Sequence, residues 1–346
     1  MKRKSVTSRD VARLAGVSQS AVSRSFSPNA SVSDKTRKKV MEAARELGYR
    51  PNTIARSLIT RSSRTIAVVT YSLENPFYTF VLERASRFFQ KQGYHLLLFF
   101  APSDRGFDSV IEEIIRSQVE GVLMLAITLD TEQAETVADF GIPVVIVNRT
   151  VNYAGISQVG CDNHRGGFWA GSYLASLGHR RIAYLAGLED SSTSQQRYAG
   201  FVAGLASRGQ QCHAVEVGNY RYLDACQATR RLFAAPSVPD ALFAANDLMA
   251  IAAMETLRHE LGLAVPQDVS IVGFDDIPMS TWPSHSLTTL QQPVEQMVVK
   301  ATELLLEQIA HADTEPEHIM LPVTPMLRGS TRRPGGAGAE AASETE

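Results

Sequence analysis

The chain has 346 residues, 44% of them hydrophobic, with 34 Lys and Arg against 36 Asp and Glu for a net charge of −2. That length suits one large core plus a small extra domain, and no stretch approaches the roughly eighteen apolar residues of a membrane span. Three widely spaced cysteines, Cys161, Cys212 and Cys226, with no CxxC, exclude a disulfide framework and a zinc site and fit a reducing cytoplasm.

From the N-terminus, MKRKSVTSRD is basic but has no apolar h-region, so it does not read as a signal peptide. Thr7 is placed to cap a first helix, with Asp10 three residues on in the position of a capping-box acid. Val11, Leu14 and Val17 are expected to face one side, with Gly16 turning the chain. Ser18 caps a second helix over Gln19–Phe26 that returns Val22 and Phe26 to the same core. A third helix begins at Ser33, carries the stripe Val40, Ala43, Ala44 and Leu47, and ends at Gly48. Three short helices around one small core, with a glycine turn before the second, form the helix-turn-helix pattern.

In such a unit the second helix lies in the major groove and its N-terminal side chains reach base edges. Gln19, Ser20 and Arg24 are the candidates for readout, since Gln pairs with adenine and Arg with guanine, while Ala21 offers only apolar contact. Thr7, Ser18, Ser23, Asn29 and Val32 complete the candidate DNA-contact set within the headpiece. Charge supports this reading over plain solvent exposure. Met1 to Arg64 holds 15 Lys and Arg against 4 Asp and Glu, net +11, leaving 19 against 32, net −13, for the rest. A basic end with a packed helical core is a nucleic-acid surface. Binding should weaken steeply with salt, with a slope of about −0.9 per neutralised phosphate.

The run DVARLAGVSQSAVSR, then VSDKTRKKVMEAARELGYRPN, then ARSL resembles the headpiece and hinge of the LacI/GalR family of bacterial transcription regulators. The likeness continues to the terminal LRGSTRR around Arg328. It implies a hinge helix over Pro51 to Ile59 that forms when two subunits bind DNA. Leu58 would then be a minor-groove wedge, with Ala55 and Arg56 beside it. Without the resemblance, Leu58 reads as an ordinary apolar linker residue.

After the linker Thr60–Arg64, short apolar runs alternate with amphipathic stretches. Strands are expected at Ile66–Thr70, Leu96–Phe100, Val122–Ile127, Val144–Asn148, Ile182–Leu185, Ala241–Ala244 and Ile271–Phe274. Helices are expected at Phe77–Gln92, Arg165–Leu177, Gln196–Arg208 and Leu248–Leu261. This alternation argues for parallel sheets covered on both faces, in two α/β lobes. The resemblance sharpens this to the fold of periplasmic sugar-binding proteins, with discontinuous lobes. The expected organisation is a headpiece at 1–50, a hinge and linker at 51–64, a body at 65–330 and a disordered tail at 331–346. Within the body, lobe one spans about 65–161 plus 290–322 and lobe two about 162–289.

Ligands of open α/β sheets bind beyond the carboxyl ends of strands, and in two-lobed proteins between the lobes. That rule selects Asn148, Arg149, Asp247 and Asp275, and the loop before the helix at Arg197. The resemblance adds its R-x-x-G-F at Arg197–Phe201, its A-N-D at Ala245–Asp247, its N-P-F at Asn75–Phe77, and an aromatic wall near Tyr220 or Tyr222. An Arg fork with a carboxylate can hold vicinal hydroxyls, and an aromatic face can cover a sugar ring. Structural readings stand beside these. Arg197 and Asp247 could be an ion pair, Asn148 could cap a turn and Arg149 could brace the lobes. Asp275 could likewise cap a turn, and Phe77 could be core.

The expected partners are double-stranded operator DNA, a sugar or sugar-derived acid, and a second copy of the chain, with no membrane, metal or cofactor. The exposed side of the Phe77–Gln92 helix, through Tyr78, Leu82 and Ala85, is a possible dimer surface, and Trp282 reads either as a packing residue or as part of the dimer surface. There is no G-x-S-x-G, Walker loop or GxGxxG after the first strand to suggest an enzyme. A transport role conflicts with the basic headpiece. Gly166, Gly167 and Gly171, inside a helical pattern, read as close packing.

Overall fold

The computed structural model describes residues 6–26, 31–49, 62–103, 105–139 and 141–333. The chain forms two compact units, Met1–Ser63 and Arg64–Glu346.

In the first unit the caps set the helix boundaries. Helix α1 (Ser8–Ala15) starts with a reciprocal capping box. The Asp10 carboxylate accepts from the Thr7 N–H at 3.0 Å, and the Thr7 hydroxyl accepts from the Asp10 N–H. The Thr7 hydroxyl also donates to the Asp10 carboxylate at 2.7 Å. Gly16, at φ +64°, closes the helix in the left-handed conformation. Ser18 caps α2 (Gln19–Ser25), and Ser33 and Gly48 bracket α3 (Asp34–Leu47). Val11, Ala12, Val22, Val40, Ala43 and Ala44 form the core, flanked by Val17, Phe26, Leu47 and Tyr49. Leu14 departs from expectation and is 47% exposed. The inward face of α1 runs through Val11, Ala12 and Ala15 instead.

The second unit holds two parallel sheets. The first has strand order β11-β5-β4-β3-β1-β2, from β1 (Thr65–Thr70), β2 (His95–Phe100), β3 (Gly121–Leu125), β4 (Val144–Val147), β5 (Ser157–Cys161) and β11 (His318–Leu321). Helices α4 (Pro76–Lys91), α5 (Asp108–Arg116) and α6 (Thr131–Asp139) connect its strands. The second sheet has order β7-β6-β8-β9, from β6 (Ile182–Ala186), β7 (Val215–Val217), β8 (Ala241–Ala244) and β9 (Ser270–Val272). With it go α7 (Asn163–Ser176), α8 (Ser192–Ala206), α9 (Tyr222–Ala234) and α10 (Asp247–Glu255), the last running on into a π turn. Helix α11 (Val294–Ala310) returns to the first sheet. The antiparallel pair β10 (Thr289–Gln291) and β12 (Thr324–Met326) stands between. Among the described residues, no helix is long and apolar enough to cross a membrane.

The chain therefore passes between the sheets three times, near 162, 292 and 322. These passages are tied to one another. The Cys161 thiol donates to Gln292 Oε1 at 3.1 Å, and the Asp162 N–H donates to the Leu321 carbonyl at 2.9 Å. Thr331 and Arg332, expected in a loose tail, are instead held in place, Thr331 by the Tyr173 and Thr288 hydroxyls and Arg332 against the second sheet. Ser330 donates to the Ile271 carbonyl, Arg332 N–H to Ser270 Oγ, and the Arg332 guanidinium to the Gln267 carbonyl.

Helices α7 and α8 meet backbone to backbone. A Cβ on Gly167 would lie 2.1 Å from the Arg197 carbonyl oxygen, and one on Gly200 would lie 2.0 Å from that of His164. Gly171 and Gly204 repeat the arrangement one turn on. The glycines read from sequence as close packing do that work, and they hold Arg197 against α7.

Candidate functional site

In the first unit, α2 buries Val22 and Ser25 and exposes Gln19, Ser20, Ser23 and Arg24. Arg37 on α3 donates to the Ser25 carbonyl at 2.9 Å and holds the C-terminal end of α2. Of the expected contacts, Gln19 Nε2 donates to Ser8 Oγ at 2.9 Å, and Arg24 Nε reaches back to the Ser20 carbonyl at 3.4 Å. Thr7 and Ser18 are exposed caps, whereas Ala21 and Val32 are half-buried. Asn29, Ala55, Arg56 and Leu58, and with them the hinge helix, lie outside the described residues.

In the second unit, loops at the carboxyl ends of strands enclose a cavity of about 250 Å³. Tyr71, Ser72, Glu74 and Asn75 follow β1, with Tyr78 on α4; Pro102 follows β2 and Arg149 follows β4. Tyr220 and Arg221, after β7, face them from the second sheet. Asn75, Arg149 and Tyr220 of the expected set therefore line it. Tyr71, Glu74 and Arg221 were not foreseen, although Tyr71 directly follows a strand end and the same rule reaches it.

Arg149 is buried, donates to Thr128 Oγ1 and stands 5.9 Å from the Tyr71 ring centre. Asn148, at φ +74°, donates from Nδ2 to the Tyr78 hydroxyl at 3.2 Å, and its Oδ1 is buried without a hydrogen-bond partner among the described residues. This corrects the reading of Tyr78, Leu82 and Ala85 as an exposed dimer face. Ala85 is fully buried and Tyr78 lines the cavity, because α4 is covered by α11 as well as by its own sheet. Tyr220 takes φ +60°, and its hydroxyl lies 3.0 Å from Thr193 Oγ1. Its ring lies so close to Gly187 that a Cβ there would come within 2.1 Å of a ring carbon.

Asn75 joins the cavity to a buried polar cluster, donating to Asp275 Oδ2 at 3.3 Å. Asp275 also accepts from Gln292 Nε2 at 2.7 Å and lies 3.5 Å from Arg197 Nη1. Arg197 donates to Asn163 Oδ1 at 2.8 Å and to the Ala245 carbonyl at 2.5 Å, and stacks 3.6 Å over the Phe274 ring. Its Nη2 is buried with no partner among the described residues. Burial pushes the Asp275 carboxyl above the usual range, although Arg197 draws it back down. The nearby Cys161 thiol is pushed up to about 12 by burial, which keeps it protonated at neutral pH.

Asp247 and Phe77 lie elsewhere. Both Asp247 oxygens are engaged, one by the Ile277 N–H at 2.9 Å and one by Thr289 Oγ1 at 2.5 Å, so the carboxyl clamps the chain around the second passage. Arg197 thus pairs with Asp275 and not with Asp247. Phe77 is 2% exposed and packs in the core, with Asn75 Oδ1 accepting from its N–H. Burial, with Asp275 adding to it, pushes the Asp247 carboxyl up to about 8. An unfolded Asp loses its proton near 4, so this group stabilises the fold less and less as pH rises from about 4 to about 8. Asp247→Asn can keep both hydrogen bonds and is expected to flatten the fall of the melting temperature between pH 6 and 8. Melting curves of both proteins across that window check this, and identical slopes would remove Asp247 as the titrating group.

Among the described residues, no group of three or more His, Cys, Asp or Glu is placed to hold a metal ion. Residues 7–52 match the family described as bacterial regulatory proteins, lacI family, and residues 172–331 match the periplasmic binding protein-like domain. The chain is 32% identical to the probable HTH-type transcriptional repressor ExuR of Bacillus subtilis (strain 168), across 95% of this chain and 99% of that one. It is 31% identical to the ribose operon repressor of Escherichia coli (strain K12), across 94% and 99%. Among solved structures it resembles the lac repressor dimer bound to operator and the anti-inducer ONPF, at 29% identity, 95% and 99% coverage and a TM-score of 0.85. It also resembles a complex of the transcriptional regulator CelR with cellobiose, at 32% identity, 94% and 99% coverage and a TM-score of 0.71.

Proposed function

The chain belongs to the lacI family of DNA-binding bacterial transcription regulators, and from that premise we propose that it binds a near-palindromic operator as a homodimer under the control of a sugar or sugar-derived acid held between its lobes. The observation that carries the control is the cavity between the two sheets. It is bordered by Tyr71, Tyr78 and Tyr220 and backed, through Asn75 and then Asp275, by Arg197. Aromatic faces suit the C–H surface of a sugar ring, and two buried polar atoms without partners among the described residues suit its polar groups, Asn148 Oδ1 accepting from a hydroxyl and Arg197 Nη2 donating to a hydroxyl or carboxylate. The similarity to the ribose operon repressor and to CelR in complex with cellobiose agrees with that class. On this reading Asn75, Asn148, Arg149, Arg197, Tyr220 and Asp275 serve the effector, while Asp247 and Phe77 hold the frame.

On the DNA side, Gln19, Ser20 and Arg24 read bases. Leu58, with Ala55 and Arg56, is the hinge wedge that unstacks one base step at a cost of a few kcal/mol, offset by the contacts that bending adds.

A thermal-shift screen of sugars, sugar acids and purines, followed by operator titration with and without the hit, tests the reading. Operator affinity is expected to change tenfold or more, within the usual coupling of about 1–3 kcal/mol. The sign of the change separates inducer from corepressor. Leu58→Ala is expected to weaken operator binding and leave effector affinity unchanged. No specific DNA binding under any condition sinks the proposal.

A further inference from the structure

We propose that Glu74 is the latch of the interlobe cleft, a carboxylate from the first lobe that caps helix α9 of the second. The inference rests on the cavity being the effector site, but its observations stand on their own geometry. Helix α9 begins at Tyr222, and its N-cap, Arg221, makes no side-chain capping bond. The first N–H groups of a helix have no partner inside it and are usually met by a nearby side-chain acceptor. Here the acceptor comes from 148 residues away. Glu74 Oε1 takes the Tyr222 N–H at 3.1 Å, and Glu74 Oε2 lies 3.5 Å from Arg221 Nε. A carboxylate at a helix N-terminus is also favoured by the helix dipole.

The placement makes this more than a surface ion pair. Glu74 and Arg221 both line the cavity, and both reach solvent, at 39% and 62% side-chain exposure. Both therefore stand where the cavity wall meets solvent. Glu74 is held in position by its own N–H, which donates to Ser72 Oγ at 3.1 Å. The chain before Tyr222 is set by two consecutive left-handed residues, Asn219 and Tyr220, so the turn that aims the Tyr222 N–H also aims the Tyr220 ring into the cavity. Deeper in, the lobes meet again where the Thr150 N–H donates to Ser192 Oγ at 2.9 Å. Releasing Glu74 should loosen that contact as well, because both depend on the lobes staying closed.

Hydrogen exchange of the full chain without effector, resolved to single amides, tests the latch in Glu74→Ala and Glu74→Gln. In Glu74→Ala the amides of Tyr222 and Thr150 are expected to exchange about tenfold faster. The Ala245 amide, bonded to the Leu185 carbonyl inside the second sheet, is expected to be unchanged. Glu74→Gln keeps an acceptor without the charge and should fall between. Acceleration at Tyr222 alone would mean a local cap and overturns the latch, as does no acceleration at either site. If Ala245 accelerates in the alanine variant, the variant is globally destabilised, and the same criteria applied to Glu74→Gln decide. No effector is used, so failure here leaves the reading of the cavity intact, whereas failure of every ligand in the screen leaves the latch intact.

Discussion

Arg197→Met is expected to abolish the proposed effector response and to lower the stability of the body by about 3–5 kcal/mol, the usual cost of leaving one member of a buried ion pair without the other. Arg197 and Asp275 are 2% and 4% exposed, and among the described residues the side-chain amides of Asn75 and Gln292, which carry no charge, are the other donors to the Asp275 carboxylate. Asp275 can relieve part of the loss by taking a proton, and burial already pushes its carboxyl up. The penalty in the variant should therefore be smallest near pH 5 and grow as pH rises. Urea unfolding at two pH values measures this. Adding Asp275→Asn removes the stranded charge, so Arg197→Met/Asp275→Asn should regain most of the stability while remaining silent to effector. That split separates a ligand-holding role from a purely structural one. A single variant as stable as the parent at neutral pH would show that the pair is not what holds this part of the core.

Gly200→Ala is expected to be the most damaging single-methyl substitution in the body. The added carbon would sit 2.0 Å from the His164 carbonyl oxygen and 2.9 Å from the Phe168 nitrogen, both backbone atoms that cannot turn aside. Overpacking usually costs about 1–3 kcal/mol, and a clash between two helix backbones belongs at or above the top of that range. For a body of this size that lowers the melting temperature by on the order of 10 °C. The separation of α7 from α8 also moves Arg197, one turn before Gly200, away from Asn163. Effector affinity should fall with stability. Gly160→Ala serves as the control, since the nearest atom to its added carbon is the Met320 sulfur at an ordinary 3.5 Å. Equal melting temperatures for the two variants would contradict this account of the helix contact.

The parts of the fold that were legible in the sequence are those where local chemistry and burial agree. Thr7, Ser18, Ser33, Gly16 and Gly48 mark helix ends by hydrogen bonding and positive φ, and the structure uses each in that way. The run Ala241–Ala244 shows as a strand because all four residues are apolar and buried. Strand β5 escaped because Ser157 and Gln158 are polar. Their polarity is absorbed internally: Ser157 Oγ accepts from Gln308 and from the Glu317 N–H, and the Gln158 side chain bonds Val151 and Tyr153. Leu14 was misplaced because Ala12 and Ala15 fill the space that a leucine face would occupy. In the site, strand ends pointed to Asn148, Arg149 and Asp275, but nothing in spacing tells which carboxylate Arg197 meets. That depends on how the passage near 292 folds back beside α10, a contact between distant stretches of chain.

The three passages between the lobes have a mechanical consequence. Cys161, Asp162, Gln292 and Leu321 bond the connections to one another, so they behave as a single strip and not as three loose tethers. Connections tied in this way are expected to move together, so the lobes should turn relative to one another in fewer directions than three independent linkers would allow. Free energy released by a small molecule in the cleft should then go into a change of lobe angle more than into wobble.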